Sequence, residues 1–104
     1  MFEQIEELLN APTSGAHAPT LARMEDALTE GYAQALALEA ERWRIERRLG
    51  EVARSADTAD ASGFAAELSS LATRLRSADG ELTRLRCLLG SLHERTRSAR
   101  LAAS

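Results

Sequence analysis

The chain has 104 residues, enough for a single small domain, and 44% of them are hydrophobic although only 4% are aromatic. Its net charge of −3 argues against a general nucleic-acid binder. Its single cysteine, Cys87, excludes an intramolecular disulfide and a cysteine-rich metal site. The first ten residues are acidic and lack a long apolar run, so we expect no signal peptide, no membrane span and a cytoplasmic location.

Residues 1–18 predict a short N-terminal amphipathic helix followed by a flexible connector. Phe2, Ile5 and Leu8 recur at helical spacing. Both prolines of the chain and one glycine then fall within residues 11–20, which is typical of a connector. A helix this short does not persist alone in water, so we expect it to dock on another surface.

Residues 19–104 predict a long antiparallel helical hairpin, with helices at about 21–56 and 63–100. Thr20 can cap the first helix, and Asp60 or Ser62 can cap the second. The seam of the first helix alternates three- and four-residue steps through Leu21, Met24, Leu28, Gly31, Ala35, Leu38, Arg42, Ile45, Leu49, Val52 and Ala56. The second seam keeps the same period through Phe64, Leu68, Leu71, Leu75, Ala78, Leu82, Leu85, Leu89, Leu92, Thr96 and Ala99. This is the coiled-coil period, and the fold class is therefore all-α.

The two seams are complementary at their unusual positions. Folding the chain at the centre of the loop, residues 57–62, brings Gly31 opposite Leu89 and Arg42 opposite Ala78. In the first pair the missing side chain makes room for a leucine, and in the second a small alanine accommodates the arginine stem. This agreement supports the hairpin.

Some apolar residues fall outside the seams and need cover. They are Tyr32, Leu36 and Trp43 on the first helix and Cys87 and Leu88 on the second. This surface can receive the N-terminal helix, a second hairpin that completes a homodimeric four-helix bundle, or a different protein. We therefore assign Tyr32, Leu36, Trp43 and Leu88 as partner-binding residues.

Arginines are concentrated in two segments of the chain, residues 39–51 and 82–104. In residues 39–51 four arginines surround Trp43, an arrangement that can stack a base or hold a phosphate, but interspersed glutamates favour a solvated face with pairs such as Glu41–Arg44 and Arg47–Glu51. In residues 82–104 five arginines stand against one glutamate. We interpret that excess as complementing the dipole at the end of the last helix.

No set of residues in the sequence predicts catalysis or metal binding. His17 lies in the connector, and His93 has no second ligand at metal-binding spacing. Cys87 has no histidine within helical reach that could act as its base, and the glycines are dispersed. We expect the protein not to be an enzyme.

Residues 78–95 resemble part of the RsiG-type anti-sigma factors of actinobacteria. The ligand motif of that family is Glu, three residues, Ser, two residues, Arg, three residues, Gln, three residues, Asp. The same spacing is occupied here by Asp79, Thr83, Arg86, Gly90 and Glu94. Arg86 is identical to the motif, three positions are conservative replacements, and Gly90 departs from it.

The resemblance implies an antiparallel coiled coil that binds cyclic di-GMP and sequesters a sigma factor. It also implies that Asp79, Thr83, Arg86 and Glu94 bind the ligand, with Arg86 taking a guanine edge or a phosphate. The sequence therefore leaves two functional hypotheses. One is a non-enzymatic interaction module, most specifically an anti-sigma-like transcriptional regulator. The other is a structural or assembly coiled coil that forms a homodimeric bundle without a ligand.

Overall fold

The computed structural model describes residues 1–55 and 61–103, and every regular element in these residues is a helix. Helix α1 spans Phe2–Asn10, α2 spans Leu21–Arg54 and α3 spans Ala61–Ala103. The predicted all-α fold with two long, packed helices is confirmed. The end of the first seam at Ala56 and the predicted cap Asp60 lie outside the described residues.

The helix ends differ by a few residues from the predicted ones. Helix α3 begins at Ala61, so that Ser62, the other predicted cap, lies inside the helix. The start of α2 is as predicted, because the Thr20 hydroxyl accepts a hydrogen bond from the Arg23 amide at 3.1 Å. Satisfying an otherwise unpaired amide in the first turn fixes where the helix begins.

The chain divides into two compact units, the first made of Met1–Ala35 with Thr83–Ser104 and the second of Leu36–Leu82. The first unit contains α1, the beginning of α2 and the end of α3. Its buried residues are seam positions together with two from α1: Ile5, Leu8, Met24, Leu28, Gly31, Ala35, Leu85, Leu89, Leu92 and Thr96. The Thr96 hydroxyl donates a 2.7 Å hydrogen bond to the Leu92 carbonyl, so this buried polar group is satisfied.

The register of the first unit is fixed where Gly31 meets Leu89. A Cβ atom placed on Gly31 would lie 2.3 Å from Leu89 Cδ2, closer than two carbon atoms can approach. The helices therefore approach each other closely where the sequence predicted a glycine facing a leucine. The pairs Glu25–Arg100 and Gly31–Leu89 also show that the helices are antiparallel here.

The second unit is a pair of helices packed along the same seams. Its core contains Ile45, Val52, Leu71 and Ala78. Four further seam residues pack against this core and stay half-buried: Leu49, Phe64, Leu68 and Leu75. The contacts Arg42–Asp79 and Arg48–Glu67 run in opposite directions along the two helices, so the pairing is antiparallel in this unit too.

Candidate functional site

The outer face of α2, defined here by Leu36, Ala40, Trp43 and Arg47, exposes two large apolar side chains of the second unit. These residues recur at steps of four, three and four, which places them on one side of the helix. Leu36 is 67% exposed and Trp43 is 59% exposed. The Arg47 guanidinium lies 5.2 Å from the centre of a Trp43 ring, where it is held by a cation–π contact.

Arginines next to this face are engaged by carboxylates of the same unit. The predicted pair Glu41–Arg44 is present at 2.9 Å. The predicted pair Arg47–Glu51 is wrong, because Glu51 contacts Arg48 at 3.3 Å while Arg47 covers the tryptophan ring. Arg47 therefore stacks on Trp43 instead of forming the expected ion pair with Glu51.

Ion pairs between α2 and α3 complete the network in the second unit. Glu41 also accepts a hydrogen bond from Arg74 at 3.0 Å, and Arg42 contacts both Glu46 and Asp79. Hydrogen bonds from Arg44 and then Arg74 hold the pKa of Glu41 below its usual value.

Arg48 forms the same kind of network with Glu67 and Glu51. Their carboxylates raise the pKa of the Arg48 guanidinium, with the hydrogen bond to Glu67 as the larger cause. Arg42, Arg44 and Arg48 thus already hold anionic partners from their own chain. This arrangement agrees with a solvated, ion-paired face along residues 39–51.

The four predicted ligand-binding residues all lie on α3, and their side chains have different environments. Asp79 is in the second unit, where its carboxylate lies 3.0 Å from Arg42. Thr83 and Arg86 are exposed residues of the first unit. Glu94, also in the first unit, contacts Arg97 at 4.0 Å. Both carboxylates of the predicted motif therefore have arginine partners within the chain.

The other predicted partner-binding residues belong to the first unit. Tyr32 is 48% exposed, whereas Leu88 is half-buried. Leu88 falls on the same side of α3 as Arg84 and Arg95, the two arginines that hold α1. Cys87 is exposed.

Sequence reasoning missed the site at which α1 docks. Arg84 forms an ion pair with Glu6 and covers the Phe2 ring, and Arg95 donates hydrogen bonds to backbone carbonyls at the end of α1. The prediction that these arginines complement the dipole of α3 is wrong, because that field acts only within the last turn, where Arg100 lies. The available signal was opposite charge, because residues 1–20 hold three glutamates and no arginine.

No family model matches the chain, and no curated protein or solved structure matches it. None of the described helices has a stretch long and apolar enough to span a membrane. Within residues 1–55 and 61–103, no three His, Cys, Asp or Glu side chains are grouped so that they could hold a metal ion.

Proposed function

We propose that this chain is a non-enzymatic helical module that binds another protein through the outer face of α2, and most specifically that it is an anti-sigma-like regulator. The observation that carries the proposal is the exposure of Leu36 and Trp43 on the same face of one helix, seven residues apart. Large apolar side chains grouped on a surface commonly mark a protein-binding site. Tryptophan and arginine are also the residues most enriched among interface hot spots.

The arrangement of the face favours a helical partner. Leu36, Ala40 and Trp43 form a ridge with a small residue at its centre, over which an apolar side chain of a partner helix can pack. Arg47 is already positioned against Trp43, which reduces the ordering cost of binding.

Binding of a sporulation- or motility-type sigma factor by titration calorimetry tests this proposal. We expect Trp43→Ser to weaken binding at least tenfold, equivalent to about 1.4 kcal/mol. The matched control is Leu101→Ser, because Leu101 is also a largely exposed apolar residue and lies near the end of α3. Equal binding by wild type and Trp43→Ser would exclude this face as the interface.

The ligand proposal rests on the resemblance of residues 78–95 and is tested separately. Cyclic di-GMP stabilises a chain that binds it only when folded, by about 2.7 kcal/mol at a hundredfold excess over Kd. We expect a rise in Tm that Arg86→Ala abolishes. The control Arg74→Ala should leave the rise intact, because Arg74 is an exposed arginine of α3 that contacts Glu41 and no predicted ligand residue. No rise at millimolar nucleotide would remove the ligand from the proposal.

The second candidate function is a homodimeric structural coiled coil. The same exposed Leu36 and Trp43 favour it, since a second copy would also cover them. Light scattering over a range of concentrations distinguishes the two functions. A stable dimer that Trp43→Ser converts to monomer would favour the structural function, and a monomer that binds a sigma factor would favour the regulatory one.

A further inference from the structure

Helix α1 is held on the first unit by a small number of defined contacts. Ile5 and Leu8 are buried against the hairpin, and Phe2 and Leu9 are half-buried beside them. The surface beneath α1, which we call the α1 groove, is marked on α3 by Arg84 and Arg95, and Leu88 lies between them on the same side of that helix. On α2 it is bounded by Arg23, Ala27 and Glu30, which lie next to Leu8.

Two arginines of α3 contact the two ends of α1 through different interactions. Near its start, the Arg84 guanidinium lies 4.7 Å from the centre of the Phe2 ring and forms an ion pair with Glu6. At its end, Arg95 donates hydrogen bonds to the backbone carbonyls of Leu9, Ala11 and Pro12. The Leu9 carbonyl belongs to the last turn of α1, where the helix dipole is negative, and the other two carbonyls follow directly after the helix. Arg95 therefore caps α1 from another helix.

The residues of α1 therefore show which pattern of side chains the α1 groove binds. It consists of an aromatic residue, aliphatic residues three and six positions later, an acidic residue facing Arg84, and a helix end whose carbonyls face Arg95. The charges are complementary, because residues 1–20 carry three glutamates and the groove presents the two arginines.

Several features make α1 replaceable. It has nine residues and no side-chain cap at its first turn, and a helix of this length is unstable alone in water. It is joined to α2 by residues 11–20, where Gly15 adopts a φ of 93°, a left-handed conformation that favours glycine. Its occupancy therefore depends on a few contacts and on being tethered nearby.

From these contacts we infer that the α1 groove is a second protein-binding site, which accepts an acidic amphipathic helix of a partner protein in place of α1. A longer partner helix with the same aromatic, aliphatic and acidic pattern buries more apolar surface than nine residues do. Helix α1 then acts as an internal competitor. The apparent affinity of the groove for the partner helix equals its intrinsic affinity multiplied by the fraction of chains in which α1 has left the groove. This site is separate from the outer face of α2.

The test uses a fluorescent peptide with the sequence of residues 1–12, stapled between positions 3 and 10, which are exposed in α1. The staple preorganises the helix and leaves Glu6 available for Arg84. The receptor is the full chain with Ile5→Asp and Leu8→Asp, which expel its own α1. If α1 occupies the groove in nine chains of ten, this variant binds the peptide about tenfold more tightly than wild type does.

A charge swap shows whether the peptide binds in the groove. In the expelled variant, Arg84→Glu should weaken binding of the normal peptide at least tenfold, and a peptide with Glu6→Arg should restore it. The matched control is Arg97→Glu, since Arg97 contacts Glu94 on α3 and should leave binding unchanged.

The inference is overturned if a folded expelled variant fails to bind the peptide at 1 mM by anisotropy, roughly the limit of useful affinity. It is also overturned if the charge swap has no effect. If circular dichroism shows that the expelled variant does not fold, the receptor is instead the full chain with Glu6→Arg, which weakens the docking of its own α1. If this receptor binds the peptide with the same affinity as the wild-type chain does, the inference is refuted. Because Trp43→Ser acts on another face, failure here is distinguishable from failure of the proposed function.

Discussion

In the first unit the seam leucines of α3 are completely buried, whereas in the second unit several corresponding residues remain partly exposed to water. Leu85 and Leu92 have no accessible surface, while Leu68 and Leu75 stay half-buried. The seams have the same period in both units, so period does not explain the difference. Among the residues that the structure describes, the first unit contains parts of three helices, including α1, and the second contains parts of two.

A seam between two helices buries only part of the apolar surface of its residues. Two helices cover each other along one stripe, and the flanks of that stripe stay open to solvent. In the second unit the flanks carry ion pairs such as Arg48–Glu67 and Arg74–Glu41. Exposed pairs of this kind contribute little to stability, typically about 0–1 kcal/mol each. We therefore expect the first unit to hold most of the folding free energy.

Truncating a seam leucine in each unit should give the largest effects. We expect Leu85→Ala to lower the free energy of unfolding by about 2–5 kcal/mol, because the side chain is fully buried. Leu75→Ala should cost less, about 1–2 kcal/mol, because part of its surface is already in water. Urea denaturation monitored by circular dichroism measures both. Equal losses would mean that α1 adds nothing to core burial.

A matched pair of glycines in the first unit tests how closely its helices pack. Gly31→Ala should destabilise the protein by about 1–3 kcal/mol, because the new Cβ would collide with Leu89. At Gly90 a Cβ would meet no atom within 4 Å, so Gly90→Ala should stabilise the protein by about 0.5–1 kcal/mol through helix propensity. Thermal denaturation distinguishes the opposite signs. A stabilising Gly31→Ala would contradict the close approach.

Removing the cap of α1 should affect the third helix selectively. Arg95→Ala deletes hydrogen bonds to the carbonyls of Leu9 and Pro12, and we expect docking of α1 to weaken by about 1–2 kcal/mol. Hydrogen exchange of the Ile5 amide, which bonds to the Met1 carbonyl, reports this loss. Arg97→Ala is the control and should leave that amide protected.

The smallest effect should come from the ion pairs of the second unit. Arg44 and Arg74 lower the pKa of Glu41, so this carboxylate stabilises the fold above its usual pKa of about 4.3. That contribution disappears as the pH falls through the lowered value. In a carbon NMR titration, Arg44→Gln should raise the pKa of Glu41 more than Arg74→Gln does. An unchanged pKa in both variants would show that the pairs do not persist in solution.

The seams could be predicted from sequence because the coiled-coil period is a local property. Gly31 opposite Leu89 was also predictable, since only a missing side chain leaves space for that leucine. Thr20 identified the start of α2 for a similar reason, because a hydroxyl before a helical segment satisfies a free amide.

The position at which α1 docks could not be predicted, because it depends on residues far apart in sequence. The contacts that hold it connect Arg84 with Glu6 and Arg95 with Leu9, 78 and 86 positions away. The overall charge indicated that the acidic residues 1–20 and the arginine-rich residues 82–104 attract each other. It did not indicate that Arg84 would cover Phe2 or that Arg95 would cap the end of α1. For the candidate site, helical spacing located Leu36 and Trp43, and their exposure required the structure.

The separation between α1 and its arginines has a consequence for synthesis on the ribosome. Helix α1 is made before the arginine that caps it, because Arg95 follows Leu9 by 86 residues. At roughly 5–20 residues per second, α1 waits about 4–17 s for this cap to be made. During that interval Ile5 and Leu8 have no completed groove to bury them, so nascent α1 is available to chaperones until translation has passed Arg95.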